Sequence, residues 1–289
     1  MKNSSRFKIS AILFASFTIL SFAACEDDDE PVIETRVVQS TDTLRVTDTL
    51  QANLMSYSAT FRMEQRVNGN AVVLNTPNMP YTNAAGNTFM ISRLRYLISD
   101  VAFHKADGSC FTIDDYHFVN LSDTNSLTYR PNIEVPEGDY TGISFKFGFD
   151  REDNIDGAYP DLNSASWGWP SGIGGSPNFG GGYHFMQLDG RFMDNNNVDT
   201  TFNTHMGTAR NMNVSPTTYE DNHFVANPTI STLTVDGDFE LTIVMNVEQW
   251  YEDPYQWDLN MYNRGIMGNY DAQRKLNLNG PSVFTVEIL

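Results

Sequence analysis

Two histidines of the sequence each stand close to a methionine, a combination of side chains that suits a soft metal ion. Met186 follows His184 after one residue, and Met206 directly follows His205. Imidazole and thioether groups are both ligands of Cu(I). The imidazoles alone would also suit Zn²⁺ or Cu(II), so the four residues indicate a metal site whose ion the spacing does not select. The alternative for each histidine taken alone is a hydrogen-bonded residue of a strand or loop.

A glycine-rich stretch with two tryptophans precedes the first of these histidines. The segment WGWPSGIGGSPNFGGGYHF starts at Trp167, contains Trp169 and includes His184. A loop that only had to turn would not need two large aromatic side chains. The tryptophans either belong to the same site as the histidines or seal one end of the folded domain.

Carboxylates suggest a second cation site. Asp150, Asp153 and Asp156 lie in the segment DREDNIDG, and oxygen-rich loops of this kind can hold Ca²⁺. The spacing does not match that of an EF-hand loop, so the alternative is a solvated acidic loop. The sequence thus offers calcium as a further cofactor.

Sequence signatures of common enzymes are missing. The chain has no Gly-x-Ser-x-Gly, no phosphate-binding loop, no His-Glu-x-x-His and no dinucleotide fingerprint. We therefore expect a protein that binds and does not catalyse.

Short strands are the elements that would position these residues. Apolar and polar side chains alternate in segments such as YSATFRMEQRV, and we expect Ile143, Phe145, Phe147 and Phe149 to share one face of a strand. No stretch of twelve residues shows a helical apolar period. Many short strands between Gly, Asn, Asp and Pro turns predict an all-β, antiparallel β-sandwich. Residues 151–182 interrupt this pattern as a long Gly- and Trp-rich loop region.

The first 24 residues have the features of a bacterial lipoprotein signal peptide. A basic start is followed by an apolar run, Ile9 to Leu20, which is too short to span a bilayer. Small residues then precede Cys25, which we predict to be lipidated. Acidic and polar residues 25–55 are expected to form a tether, and residues 56–289 the sandwich domain. An ordinary secretory signal is the alternative.

The net charge limits the classes of molecule that the chain can bind, and the cysteine content limits its possible disulfides. Removal of residues 1–24 leaves 15 basic and 36 acidic residues, a net charge of −21. Such a chain repels nucleic acid and anionic membrane surfaces and attracts cations. Cys25 and Cys110 are the only cysteines. If Cys25 carries lipid, we expect Cys110 to be a reduced, buried thiol.

The order of these segments resembles that of the MbnP-like copper-binding domain over residues 56–289. The most specific parts are Trp-x-Trp at Trp167, then Gly-Tyr-x-Phe ending in Gly190, and His-x-Gly at His205. Pro170 to Gly181 intervene between the first two parts. The resemblance implies a β-sandwich of the cell envelope with one copper ion held by histidines.

The same resemblance implies roles for the aromatic residues and for a partner. Trp167 and Trp169 would form one wall of the copper site, and His184 would enter from the next strand. In some relatives a tryptophan is oxidised to kynurenine by a di-haem peroxidase of the MauG type, which makes such an enzyme an expected partner.

Two functions follow from these observations. The first is copper binding by a lipoprotein of the bacterial outer membrane, facing the periplasm or the cell surface. The alternative is a surface module that binds glycan or protein through exposed Trp and Tyr, without metal. Copper binding requires that His184 and His205 converge, whereas glycan binding requires an exposed aromatic platform.

Overall fold

The computed structural model describes residues 55–289. The predicted signal peptide, the lipidation site Cys25 and all but the last residue of the predicted tether lie outside the described residues. Within residues 55–289, no helix is long and apolar enough to cross a membrane.

The described chain is built mainly from strands, as the alternating pattern predicts. They are β1 Ser56–Tyr57, β2 Ala59–Val67, β3 Asn70–Ala71, β4 Tyr81–Thr82, β5 Thr88–His104, β6 Cys110–Asn120, β7 Thr128–Tyr129, β8 Val135–Pro136, β9 Gly138–Tyr140, β10 Gly142–Phe147, β11 Met186–Met193, β12 Asp199–Met206, β13 Ala209–Asn211, β14 Thr218–Glu220, β15 Phe224–Ala226, β16 Leu233–Val235, β17 Phe239–Asn246 and β18 Phe284–Ile288.

Helices are few and short. They are α1 Pro160–Ser164, α2 Leu259–Tyr262 and α3 Tyr270–Asn279, with 3₁₀ turns at Thr124–Leu127, Ile173–Gly175, Val247–Tyr251, Ile266–Gly268 and Gly280–Ser282. The sequence did not predict α3, because two of its four buried residues are polar, Gln273 and Asn279. Asn269 caps its start by accepting a hydrogen bond from the N–H of Ala272 at 3.1 Å.

Two larger sheets form the sandwich. One has seven strands, in the order β12-β11-β5-β10-β15, with β4 and β6 also paired to β5. The other has five strands, in the order β18-β17-β2-β3, with β7 paired to β2. The all-β sandwich prediction is confirmed. The pairing is antiparallel except between β2 and β17, which run parallel.

The core lies between these sheets. Phe61 of β2 approaches Phe103 of β5 with ring centroids 6.3 Å apart, and Phe145 of β10 meets Phe284 of β18 at 5.1 Å. Such buried aromatic pairs remove large apolar areas from water. The core therefore holds the two sheets together across the sandwich.

Strand β5 changes its inward face twice along its 17 residues. Its core-facing residues are Phe89 and Ile91, then Leu94, Tyr96 and Ile98, then Val101 and Phe103. Each change coincides with a register shift, one opposite Asp189 and Gly190 of β11 and one between Ser99 and Val101. A β-bulge adds one residue and so reverses the alternation.

Phe149 does not share the face of its neighbours, contrary to the prediction. Ile143, Phe145 and Phe147 lie in the main core, whereas Phe149 belongs to a second apolar cluster. Gly148 between them has a φ of +91°, and a Cβ there would lie 2.3 Å from the ring of Phe185. The left-handed backbone turns the chain and moves Phe149 out of the alternation.

Cys110, at the start of β6, is half-buried and disulfide-bonded. The expectation of a reduced, buried thiol is therefore wrong.

Candidate metal centre

Polar side chains of three neighbouring strands line the outer face of the larger sheet. In β11, Gln187 and Asp189 alternate with residues of the main core. The strand register places Gln187 opposite His205 of β12 and opposite Arg95 of β5. Because alternate side chains of a strand point to the same face, these residues share the side away from the core. The candidate site lies on this face.

Met186 and Met206 lie on the opposite face. They face each other across β11 and β12, are fully buried and belong to the main core. His205 and Met206 are consecutive in a strand and so point to opposite sides of the sheet. The structure therefore separates both methionines from His205, and its geometry does not support either as a third ligand.

The tryptophan-containing loop folds back over the outer face. The N–H of Trp169 donates to the carbonyl of Gly182 at 2.8 Å, and the N–H of His184 donates to that of Trp167 at 2.9 Å. These bonds hold the two ends of the intervening segment, residues 170–181, side by side. The long insertion therefore leaves the tryptophans next to His184.

His184 lies in contact with both tryptophans and with the second histidine. Its ring centroid is 5.3 Å from that of Trp167, 4.9 Å from that of Trp169 and 5.3 Å from that of His205. His184 is 5% exposed, and the two tryptophans are more deeply buried still. Thus the structure brings both predicted histidines and both predicted tryptophans into one closed cluster.

The hydrogen bonds of His184 define its protonation. Nδ1 lies 3.0 Å from the carbonyl oxygen of Trp167, and because that oxygen can only accept, we assign the proton to Nδ1. Among residues 55–289, Nε2 has no hydrogen-bond partner. Burial lowers the pKa of His184 to about 3. The imidazole is therefore neutral at pH 7, with the lone pair on Nε2.

His205 is held by a carboxylate. Its Nε2 lies 2.7 Å from Oδ1 of Asp189, whose side chain is 8% exposed. Burial acts to raise the pKa of Asp189, but hydrogen bonds from His205, Asn203 and Arg93 outweigh it and lower this pKa to about 2. An ionised carboxylate only accepts, so Nε2 of His205 carries a proton.

A cation packs on the far side of the cluster. The guanidinium carbon of Arg95 lies 5.2 Å from the ring centroid of Trp167, and its Nη1 donates to the carbonyl of Ala165 at 3.1 Å. Gln187 accepts two further hydrogen bonds from Arg95. Burial lowers the pKa of Arg95, and its charge lowers the pKa of His184 in turn. The cation–π contact fixes the orientation of the indole.

The packing of Trp169 explains why a glycine, Gly207, stands two residues after His205. A Cβ at this position would lie 2.6 Å from the indole of Trp169. Only glycine lets the backbone of this strand end approach the ring so closely. The His-x-Gly pattern at His205 therefore has a steric cause in the packing of Trp169.

The predicted calcium ligands do not form one group. Asp150 and Asp153 lie close together with Asp100 of β5, which the sequence did not suggest. The ammonium of Lys146 contacts Asp100 at 2.7 Å and Asp150 at 2.5 Å. A lysine thus neutralises the carboxylates that a cation would need, so the geometry does not favour calcium here.

Asp156 has a different place. Its Oδ1 accepts a hydrogen bond from the N–H of Gly182, and Asn154 accepts one from the N–H of Tyr183 at 2.8 Å. Both side chains fasten the backbone just before His184. Asp156 is therefore a structural clamp of the tryptophan loop.

The sequence did not indicate the residues that orient the rings of the cluster, chiefly Asp189, Arg93 and Arg95. The available signal was polar side chains at alternate positions of otherwise apolar strands. That alternation marks an outward face, but it does not reveal that the face is covered by a loop. Without the cover, such residues resemble an ordinary solvated surface.

Comparisons with known proteins agree with this architecture. A family model described as MbnP matches residues 56–268. A solved structure, MbnP from Methylosinus trichosporium, is 13% identical in sequence and has a TM-score of 0.50. That likeness covers 81% of this chain and 99% of the other, and at this identity it concerns the fold. No curated protein sequence is significantly similar to the chain. The family match spans well over half of the chain, which therefore belongs to the MbnP family.

Proposed function

We propose that this protein binds one Cu(I) ion per chain through His184 and His205, beside Trp167 and Trp169. The supporting observation is the pair of neighbouring imidazoles, with centroids 5.3 Å apart and one nitrogen of each hydrogen-bonded to the protein. Nε2 of His184 and Nδ1 of His205 each keep a lone pair that can bind a metal ion. Two neutral imidazoles suffice for Cu(I), so the donor set fits this ion.

The surroundings of the two rings also suit a metal. Ligating histidines characteristically donate their other N–H to a carbonyl or carboxylate, which fixes the ring and its tautomer. Trp167 provides such a carbonyl for His184, and Asp189 such a carboxylate for His205. Both hydrogen bonds are formed within the chain itself and hold each ring in one orientation.

A competition titration with a Cu(I) chelator tests the proposal. Purified domain is expected to take up about one Cu(I) per chain. X-ray absorption of the loaded protein should show nitrogen but no sulfur neighbours, because Met186 and Met206 lie in the core. A Met186→Leu/Met206→Leu variant should bind as the wild type does. Absence of chelator competition by the wild type would exclude the copper site, and a sulfur shell would exclude this ligand set.

The glycan-binding alternative loses its main support. It relied on exposed Trp and Tyr, yet Trp167, Trp169, Trp250 and Trp257, which are all the tryptophans of the chain, are at most 2% exposed. Buried indoles cannot stack on a sugar. We therefore do not propose glycan binding by this face.

We infer from residues 1–24 and Cys25 that the protein is an outer-membrane lipoprotein of the bacterial envelope. Detergent-phase partitioning decides: the mature wild type should enter the detergent phase and Cys25→Ala should not. Wild-type protein in the aqueous phase would refute the anchor.

A further inference from the structure

Asp189 stands in a row of three residues across the larger sheet. The register places Arg93 of β5 and Asn203 of β12 directly opposite it on either side. The bulge of β5 at this point brings Arg93, rather than Ser92, to the outer face beside the carboxylate. His205 follows two residues after Asn203 on the same face.

Every polar contact of the Asp189 carboxylate is with a donor. Oδ1 accepts from Nε2 of His205 and from Nδ2 of Asn203, each at 2.7 Å. Oδ2 accepts from the guanidinium of Arg93. With both oxygens engaged by these donors, the carboxylate presents only acceptors to the imidazole.

We propose that Asp189, held by Arg93, is the positioning residue that selects the tautomer of His205. The proposal rests on the copper site proposed above. Because Nε2 must donate to Asp189, the lone pair of the neutral ring resides on Nδ1, and Nδ1 is the ligand atom. The copper site thus depends on a side chain that does not itself touch the metal.

Because of Arg93, only a carboxylate at position 189 can select this tautomer of His205. An Asp189→Asn side chain keeps the shape but offers one acceptor and one donor. Arg93, which has only donors, claims the amide oxygen, and the side-chain amide of Asn203 turns so that its own oxygen accepts from the new amide nitrogen. The amide nitrogen then faces Nε2 of His205 and donates to it. The ring has to move its proton to Nδ1, and the atom required for the metal is blocked.

The test is the tautomer of His205 in metal-free protein, read from long-range ¹H–¹⁵N correlations. We expect a proton on Nε2 in the wild type and on Nδ1 in Asp189→Asn. Cu(I) affinity of that variant should fall about 10- to 100-fold, the usual effect of losing the partner of a ligating histidine. A merely structural role of Asp189 would not move the proton from one nitrogen to the other.

Two variants sharpen the comparison. Asp199→Asn removes a carboxylate from an arginine pair of the same sheet, with Arg191, but touches no histidine, and should leave the tautomer and the affinity unchanged. In Arg93→Leu/Asp189→Asn the competing donor is gone. The amide oxygen can then turn to His205, which should restore the proton on Nε2 and most of the affinity.

A proton on Nδ1 of His205 in the wild type would overturn the proposal, even if no variant folds. So would an Asp189→Asn variant with an unchanged tautomer. Failure of the copper site itself is distinguishable, because the wild type would then show the Nε2 proton and yet not compete for Cu(I).

Discussion

Protein in which His184 and His205 are both replaced by alanine is expected to lose tight Cu(I) binding. The two imidazoles supply both proposed ligand atoms. The methionines near them in sequence, Met186 and Met206, lie in the core. Cu(I) would be left with the tryptophan rings and no nitrogen donor. The chelator titration should show competition by the wild type and none by the variant.

The matched control replaces two other histidines of the same domain. His104 is hydrogen-bonded to Oγ of Ser144 at 2.7 Å, and His117 to the carbonyl of Ser126 at 2.7 Å. Neither contacts the cluster, so His104→Ala/His117→Ala should keep wild-type copper binding. Circular dichroism should confirm a β-rich fold in both variants. Equal binding by wild type and both variants would refute the site assignment.

Replacing Gly190 with alanine is expected to destabilise the domain by about 3 kcal/mol or more, through overpacking that the backbone cannot relieve. A Cβ there would lie 2.0 Å from the carbonyl oxygen of Met90 and 2.7 Å from the ring of Phe202. A carbonyl of a paired strand cannot swing away as a flexible side chain can. Urea unfolding should report the loss as a lower midpoint at unchanged slope.

The control for this substitution is Gly237→Ala. A Cβ at Gly237 would have no atom within 4 Å, so its effect should stay within about 0.5 kcal/mol. Gly190 also lies where the register of β5 shifts next to Asp189. Gly190→Ala should therefore weaken copper binding as well. A Gly190 variant as stable as the Gly237 variant would show that the strands do not approach each other as closely as described.

Local patterns in the sequence were sufficient to predict the class of fold and to identify the residues that cluster at the candidate site. Alternation with period two identifies strands because each residue's face depends only on its neighbours. It correctly assigned Ile143, Phe145 and Phe147 to one core face. The family motifs correctly singled out Trp167, Trp169, His184 and His205 as residues that meet.

The pattern failed wherever one residue broke the alternation. Gly148 with its positive φ redirected Phe149, and two bulges reversed the face of β5. The histidine-methionine spacing suggested Met186 and Met206 as ligands, but both side chains lie in the main core. Met206 points away from its strand neighbour His205, and Met186 faces Met206 across the sheet. Helix α3 has no helical apolar period in its sequence because its buried face includes the amide side chains of Gln273 and Asn279.

The strands, the turns and a small set of residues suited to a soft metal can be identified from the order of amino acids alone. Which atoms of those residues are available depends on contacts that form only in the folded chain. Asp189 and Arg93 are 96 residues apart, and Trp167 and His184 are 17 apart. The tautomers of both histidines depend on these pairs. Hydrogen-bond partners brought together by sheet register and loop closure are not encoded in any local period, so the chemistry of the site emerges only when the chain has folded.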